Sequence, residues 1–176
     1  MYPTVLRLER TWDGRPVPVG EHLRLSLIRS GAGLAIEIDA PFFGRPAAPS
    51  LEDPPRNLWR YETVFLFLIE QQGSDDLPRY VEAQMTPHGL ARFFRFRGRR
   101  RAVEYGLPLA CATRIRGDRW EGHAWIPGTQ LPPPPYRANA FSLRGEEADR
   151  RCLAFYPIPG RVPDFHRITM YPPIDL

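Results

Sequence analysis

The sequence predicts an all-β protein, an antiparallel β-sandwich of the jelly-roll kind. Proline occurs 21 times in 176 residues, well above its usual share of about 5%, and such spacing breaks almost any helix of ordinary length. Between the prolines and glycines, short segments alternate apolar and polar residues, which is the period of half-buried strands. Because 43% of the residues are hydrophobic, we expect residues 1–176 to bury the core of a single domain.

The strands follow from this alternation in chain order. Two pairs form hairpins, one through the turn Ser30–Gly33 and one through Gly117-Asp118. Residues 132–135 are all proline and must be an extended connector. The predicted strands are 4–10, 22–28, 34–38, 64–69, 80–86, 92–96, 110–116, 119–127, 138–144 and 152–156.

The centre of the predicted fold is an antiparallel meander over residues 58–96. Val64 to Ile69 has little polar interruption, which predicts a central strand covered on both faces. In the next strand Tyr80, Glu82 and Gln84 share one face. In the strand after it, Arg92, Phe94 and Phe96 share a face. The link from Ala40 to Asn57 carries five prolines, which favours a rigid surface loop with a function.

The charge pattern disfavours nucleic acid as a partner. All 24 basic residues are arginine, and the net charge of +4 is spread along the chain, whereas nucleic-acid binding requires a clustered stripe. One dense cluster exists, made of Arg95, Arg97, Arg99, Arg100 and Arg101. A solvated turn is the favoured interpretation, and an anion site is the alternative because arginine suits planar bidentate acceptors.

A membrane partner is not expected either. No apolar stretch approaches the roughly 20 residues that span a bilayer, and the charged N-terminal segment lacks the core of a signal peptide. We therefore expect a cytoplasmic protein. In that compartment Cys111 and Cys152 are expected to be reduced thiols, although the sequence leaves their pairing open.

No catalytic motif or metal-binding spacing is present, so the sequence predicts no catalytic residues and no metal ligands. Calcium is left open, since Glu62 and Glu82 could face each other across adjacent strands. Ion pairing of these carboxylates with nearby arginines is favoured. Haem is disfavoured because Met85 and His88 lie on either side of one turn.

Several segments together resemble the β-sandwich of family 9 carbohydrate-binding modules, the wider group of DOMON-like domains, and within it a small family of cytosolic DOMON-like proteins. The resemblance covers Thr11 to His166. The segments that carry it are, in order, TWDG, DAPFFGRPAAP, LWRYETVFLFL, YVEAQMTPHG, WEGHAWIP, RANAFSL, YPIP and PDFH.

The resemblance implies a sugar-binding ancestry, in which aromatic rings stack on sugar faces and polar side chains bind the hydroxyls. On that pattern Trp59 matches the aromatic ahead of the central strand, and Asn139 matches the asparagine of a later strand. Two family glutamates fall on other residue types here, one on Phe65 and one on His123. The resemblance therefore implies an ancestral sugar site that is altered in this chain.

The candidate ligand-binding residues combine this pattern with the predicted faces. Each has an ordinary structural alternative: Trp59 as cover of the core, His88 as a turn residue, and His166 as a buried histidine bonded to backbone. Trp125 shares a face with His123, so the two could line a groove. The candidates are Trp59, Glu82, His88, Arg92, His123, Trp125, Asn139 and His166.

Three functions remain open. The favoured one is a non-catalytic domain that binds a carbohydrate or small polar ligand. The second is a protein-interaction scaffold whose groove is filled by Phe65. The third is a hydrolase-type enzyme in which His166 is a general base paired with Asp164 or Asp39.

Overall fold

The alternating segments form two antiparallel sheets. The computed structural model describes residues 2–45, 57–72, 77–146 and 149–176, without the side chain of Pro108. The smaller sheet has the order β1-β3-β4-β10-β9. Its strands are β1 (Thr4–Leu8), β3 (Leu23–Ser30), β4 (Gly33–Pro41), β9 (Ala110–Arg116) and β10 (Arg119–Pro127).

The larger sheet has the order β2-β12-β11-β5-β6-β7-β8, and β13 pairs with β11 beside this path. Its strands are β2 (Arg10–Thr11), β5 (Thr63–Glu70), β6 (Arg79–Met85), β7 (Ala91–Arg97), β8 (Ala102–Pro108), β11 (Tyr136–Arg144), β12 (Arg151–Ala154) and β13 (Pro173–Ile174). The prediction of an all-β antiparallel sandwich is confirmed.

The main core lies between the two sheets. Leu25 and Ile36 of the smaller sheet and Leu66 and Leu68 of the larger sheet belong to one buried cluster. Removing these side chains from water stabilises the fold by about 1.5–3 kcal/mol each. The apolar residues assigned to one face of each strand therefore do hold the two layers together.

A second apolar cluster covers the opposite, outer face of the larger sheet. Phe65, Phe67 and Phe141 lie on this face and are buried. The irregular segment 155–172 between β12 and β13, called the covering segment below, packs across them. The Phe165 ring stacks on Phe141 with centroids 4.2 Å apart, and Tyr171 lies edge-on to Phe67. This covering explains why every residue of β5 is buried, which confirms the predicted central strand.

Some predicted elements differ from the structure. The segment predicted as one strand from Thr4 to Arg10 divides between the sheets, since Thr4–Leu8 pairs with β3 and Arg10–Thr11 with β12. The strand predicted over 152–156 ends at Ala154, and β8 was not predicted. Residues 46–56, most of the proline-rich link, lie outside the described residues, so its interpretation as a rigid loop stays a prediction.

The two cysteines are free thiols, Cys111 on β9 and Cys152 on β12. Burial raises the pKa of Cys111 to about 11 and that of Cys152 to about 12, so both remain protonated near neutral pH. Within the described part of the chain, none of the helical segments combines the length and the hydropathy that a membrane span requires.

Candidate functional site

A row of polar side chains lies among the aromatic rings on the outer face of the larger sheet. Glu82 pairs across the strands with Phe94, and Gln84 pairs with Arg92. Because side chains alternate along a strand, Tyr80, Glu82 and Gln84 all point to this outer face, while Val81, Ala83 and Met85 belong to the inner core. The sequence thus places a carboxyl group, a carboxamide and a guanidinium on adjacent positions.

Glu82 and Gln84 are both buried, each with 6% of its surface exposed. Nε2 of Gln84 donates a hydrogen bond of 2.6 Å to Oε1 of Glu82. Burial raises the pKa of Glu82 to about 7, although the hydrogen bond from Gln84 acts in the opposite direction. Oε1 of Gln84 is buried and has no hydrogen-bond partner among the described residues. Such an orphaned acceptor is unusual, because buried polar atoms are normally paired.

His166 approaches the same row from the covering segment. Its Nδ1 lies 2.9 Å from the hydroxyl of Tyr80, which itself accepts a 2.9 Å hydrogen bond from the backbone N–H of Arg100. Nε2 of His166 lies 3.8 Å from Oε2 of Glu82. Burial, together with the charge of Arg100, lowers the pKa of His166 to about 4. The imidazole is therefore neutral near neutral pH, and its Nδ1 shares a hydrogen bond with the Tyr80 hydroxyl.

Asp164 anchors the covering segment to the arginine cluster. Its carboxylate accepts a 2.8 Å hydrogen bond from Nη2 of Arg99 and a 2.7 Å bond from Nη2 of Arg100. It also accepts from the backbone N–H of His166 at 2.9 Å. Burial alone would raise the pKa of Asp164, but these partners outweigh it and the net pKa is lowered. Two of the five clustered arginines thus bind a carboxylate of the chain itself.

A small pocket opens beside this row. It has a volume of about 270 Å³ and is lined by Arg92, Phe94, Tyr105 and Gly106. The Tyr105 side chain is 69% exposed and stands edge-on to Phe94, with ring centroids 5.0 Å apart. Nη1 of Arg92 donates to the carbonyl of Gly106 at 3.3 Å. An aromatic ring and a cation therefore line this pocket, and Gln84 is the cross-strand neighbour of the lining residue Arg92.

The backbone of β8 is adapted to form this pocket. The pairing of β7 with β8 shifts register on both sides of Arg95, which is a bulge of the kind that redirects side chains. Gly106 has a φ of +64°, where other residues are strained, and a Cβ there would lie 3.3 Å from Nη1 of Arg92. Glycine at this position therefore leaves room for the guanidinium.

Only part of the predicted site residues lie at this place. Glu82, Arg92 and His166 are on the outer face of the larger sheet. Trp59 lies on the 3-10 turn Leu58–Arg60, and its ring is 49% exposed with the Arg60 guanidinium 5.4 Å above it. His88 lies in the turn after β6 and contacts the Phe42 ring, with centroids 5.7 Å apart.

His123 and Trp125 lie on the outer face of the other, smaller sheet. They alternate on β10 with the buried Ala124 and Ile126, and His123 pairs across the sheet with Glu37. A polar pocket of about 460 Å³ includes His123. The predicted sharing of a face by His123 and Trp125 is confirmed, but this face belongs to the opposite side of the sandwich.

Asn139 has a structural task. It is fully buried, its Nδ2 donates to the carbonyl of Tyr156 at 2.8 Å, and its Oδ1 accepts from the backbone N–H of Tyr156 at 3.0 Å. Oδ1 also accepts from the N–H of Ala140 at 2.9 Å. The side chain therefore fixes the start of the covering segment to β11.

The proposed carboxylate pair of Glu62 and Glu82 does not form. Glu82 is opposite Phe67, five positions along the chain from Glu62, which separates the two by about 16 Å at 3.3 Å per residue. Glu62 instead accepts hydrogen bonds from the N–H groups of Phe43 and Gly44. Among the described residues, no group of three or more histidine, cysteine or acidic side chains is placed to bind a metal ion.

The geometry also differs from an acid–base pair of Asp164 and His166. Asp164 contacts the backbone N–H of His166, while the imidazole contacts Tyr80. Asp39, the other suggested partner, is bound by Arg119 in the smaller sheet at 2.7 Å. A histidine with a pKa near 4 is also a weak base at neutral pH.

Sequence reasoning missed two residues of this site. Gln84 was assigned to the correct face but not to the site, and Tyr105 was missed because β8 was not predicted. A signal existed, since Val103, Tyr105 and Leu107 alternate with smaller or charged residues. The glycine and prolines around them obscured this period.

Comparisons with known proteins place the chain in a family. No family model matches it. A UPF0462 protein C4orf33 homolog from Mus musculus is 34% identical over 175 residues, which are 95% of this chain and 88% of that protein. The UPF0462 protein C4orf33 of Homo sapiens is 34% identical over 173 residues, covering 94% and 84% of the two chains.

Two solved structures are similar in fold. A protein from Bacteroides uniformis, described as "a putative carbohydrate-binding protein", superposes with a TM-score of 0.62 and 12% identity, over 96% of this chain and 84% of that one. A family 9 carbohydrate-binding module from Caldicellulosiruptor kristjanssonii in complex with cellotriose superposes with a TM-score of 0.47 and 12% identity, over 76% of this chain and 65% of that one. The chain thus shares its fold with the Bacteroides uniformis protein, and by its sequence it belongs to the UPF0462 family.

Proposed function

We propose that this protein is a non-catalytic binding protein for a small polar ligand of the carbohydrate class, held in the pocket beside Tyr105. The observation that carries this proposal is the orphaned acceptor, Oε1 of Gln84. A buried carbonyl oxygen without a partner costs about 1–3 kcal/mol. Gln84 does not itself line the pocket but neighbours the lining residue Arg92 across the strands, and a ligand hydroxyl that reaches and donates to its Oε1 would recover that energy on binding.

Tyr105 supplies the apolar contact that a sugar ring needs. Sugar rings present C–H groups on one face, and tyrosine offers a rigid ring at a low entropy cost. Tyr105 is exposed, and its edge-on contact with Phe94 holds the ring beside the pocket. Its position on a bulged edge strand leaves one ring face open to a ligand.

The neighbouring groups supply polar contacts of both kinds. The Arg92 guanidinium is a donor, the Gln84 carbonyl an acceptor, and Glu82 can act as either because its pKa lies near 7. Hydroxyl groups both donate and accept, so a polyol matches this mixture better than a simple ion does. The volume of about 270 Å³ is below that of drug-sized sites, which favours a single sugar ring.

A scaffold function is the second candidate, and the packing of Phe65 favours it. Phe65 is buried, and its ring meets Phe165 with centroids 5.3 Å apart. The covering segment thus occupies much of the outer face, and the Tyr105 pocket lies at the β8 edge of that face. If no ligand binds this pocket, the protein is better described as an interaction domain.

Calorimetric titration with a panel of neutral and acidic monosaccharides tests the proposal. We expect at least one sugar to bind, and Tyr105→Ala to weaken that binding tenfold or more without lowering the melting temperature. Trp125→Ala is the matched control, because Trp125 is also an exposed aromatic, on the other sheet. Failure of every sugar to bind the wild type, or equal affinity of Tyr105→Ala, would refute the proposal.

We also propose a cytoplasmic location and a DOMON-like relationship. Support for the location comes from the two free thiols, which are usual in a reducing compartment. Support for the relationship comes from the sequence segments between Thr11 and His166 that resemble those domains. Fractionation of cells that express the protein with a tag would test the location.

A further inference from the structure

A larger pocket lies at one end of the sandwich, apart from the Tyr105 pocket. It has a volume of about 710 Å³, within the range of sites for small organic molecules. Its apolar wall includes residues of both sheets, of the proline connector before β11 and of the C-terminal end of the described chain: Leu27, Ile174, Pro134, Pro135 and Leu176. None of these residues lines the Tyr105 pocket, so the two cavities are separate.

Tyr136 gives this pocket a polar group without a partner. The residue lines the pocket, is 1% exposed, and pairs with Ile174 of β13. Its hydroxyl is buried and makes no hydrogen bond to any described residue. Buried tyrosine hydroxyls normally find a partner, so this hydroxyl is an unused donor on a residue that lines the pocket.

Two charged residues, Arg29 and Asp175, also line the pocket. Arg29 uses Nη1 for the carbonyl groups of Ser30 and Gly33, and forms no ion pair with the described residues. The backbone carbonyl of Asp175 accepts a hydrogen bond from Thr4. The carboxylate of Asp175 has no partner in the described chain. Tyr136 and Arg29 are both donors, so they favour an occupant with an acceptor group.

We propose that this pocket binds a small apolar carboxylate, with its hydrocarbon body against Leu27 and Ile174 and its carboxylate on Tyr136 and Arg29. Arginine suits this group because its guanidinium matches the two carboxylate oxygens. Asp175 opposes the ligand charge and weakens binding. The site is independent of the sugar pocket and takes a different chemical class.

The probe is 2-naphthoate, titrated against the full chain by calorimetry or ligand-observed NMR. We expect a dissociation constant of about 1 mM or tighter. Tyr136→Phe and Arg29→Gln should each weaken binding threefold or more, and Asp175→Asn should strengthen it twofold or more. Tyr136→Phe should not lower the melting temperature, since it removes an unpaired buried hydroxyl.

Two controls test whether binding depends on the ligand charge and on this pocket. The neutral 2-naphthamide should bind at least threefold more weakly, because it lacks the charge that Arg29 recognises. Tyr105→Ala should bind 2-naphthoate like the wild type. The proposal is overturned if 2-naphthoate does not bind the wild type, if Tyr136→Phe binds it equally well, or if Asp175→Asn weakens it.

Discussion

Oε1 of Glu82 accepts a 2.6 Å hydrogen bond from Nε2 of Gln84, two residues further along β6. When Glu82 is ionised, this bond fixes the orientation of the Gln84 amide, because the reversed amide would place two acceptor oxygens together. It therefore directs the Gln84 carbonyl away from Glu82, to the position where it has no partner in the described chain. The binding proposal depends on this relationship.

Glu82→Gln should stabilise the protein above neutral pH. The pKa of Glu82 is raised from 4.5 to about 7 by burial, so the folded state holds its proton more tightly than the unfolded state does. The stabilisation that comes from this tighter proton binding is fully present below pH 4.5 and is lost as the pH rises through 7. The gain of the variant over wild type should grow by about 3 kcal/mol between pH 4.5 and pH 8, as measured by urea unfolding.

His166 provides the internal check on that experiment. The pKa of His166 is lowered to about 4. Its pH dependence is therefore opposite to that of Glu82, and the free energy of unfolding that it contributes rises with pH between 4 and 6.5. In wild type the two slopes oppose each other, and Glu82→Gln should reveal the rising one. A pH-independent difference between variant and wild type would mean that Glu82 is ionised normally in the fold.

Tyr80→Phe should lower the free energy of unfolding by about 2 kcal/mol. The change keeps the stacked ring against Phe96 but removes the partner of both the Arg100 N–H and Nδ1 of His166. Tyr105→Phe is the control, since Tyr105 is exposed and should lose less than about 0.5 kcal/mol. Equal losses in the two variants would contradict the role given to Tyr80.

Asp164→Asn should loosen the covering segment. The loss should be about 1–2 kcal/mol at neutral pH and smaller at high salt, since two arginines bind this carboxylate. The pKa of Asp164 is lowered, so this stabilisation is present above pH 3.8 and disappears as the pH falls through the lowered pKa. Hydrogen exchange at the amide of His166 should become faster.

Glu104→Gln is the control for Asp164→Asn. Glu104 pairs with Arg95 on the exposed edge of the sheet, where an ion pair contributes less than about 1 kcal/mol. This variant should leave the exchange of His166 unchanged. If Asp164→Asn also leaves it unchanged, the anchor between Asp164 and the two arginines is not important for the segment.

Asn139→Ala should lower the stability of the protein without changing its affinity for a sugar. The variant leaves the backbone groups of Ala140 and Tyr156 without the partners they have now, at a cost of about 3 kcal/mol. Affinity for any sugar found should stay within twofold of wild type at a temperature where the variant is folded. A selective loss of affinity at full stability would instead support the contact that the family resemblance implies.

The fold was predictable where one period dominates the sequence. The run from Val64 to Ile69 and the alternating leucines of β3 are simple patterns, and both were assigned correctly. The division of the first strand between two sheets was not predictable, because Glu9 between β1 and β2 carries no turn signal. The sequence also does not predict that residues 155–172 cover the outer face, because an irregular segment has no hydrophobic period.

The site was predictable only as a face. Alternation placed Glu82 with Gln84, and Arg92 with Phe94, on common faces, and the structure confirms both. Whether these two faces lie on the same side of the sheet depends on the register of β6 and β7. The hairpin through Pro87-His88-Gly89 sets this register, and the alternation of residues in the sequence does not reveal it. The part played by His166 depends on a contact between residues 86 positions apart, Tyr80 and His166.

Amide and side-chain NMR shifts during a sugar titration would test the central claim most directly. With a sugar identified by calorimetry, we expect shifts concentrated at the Gln84 carboxamide, the Arg92 guanidinium and the Gly106 amide. Gln84→Leu should abolish the shifts at the Arg92 guanidinium and the Gly106 amide while the sheet stays folded. Shifts centred on Trp59, or on His123 and Trp125 of the smaller sheet, would contradict the account.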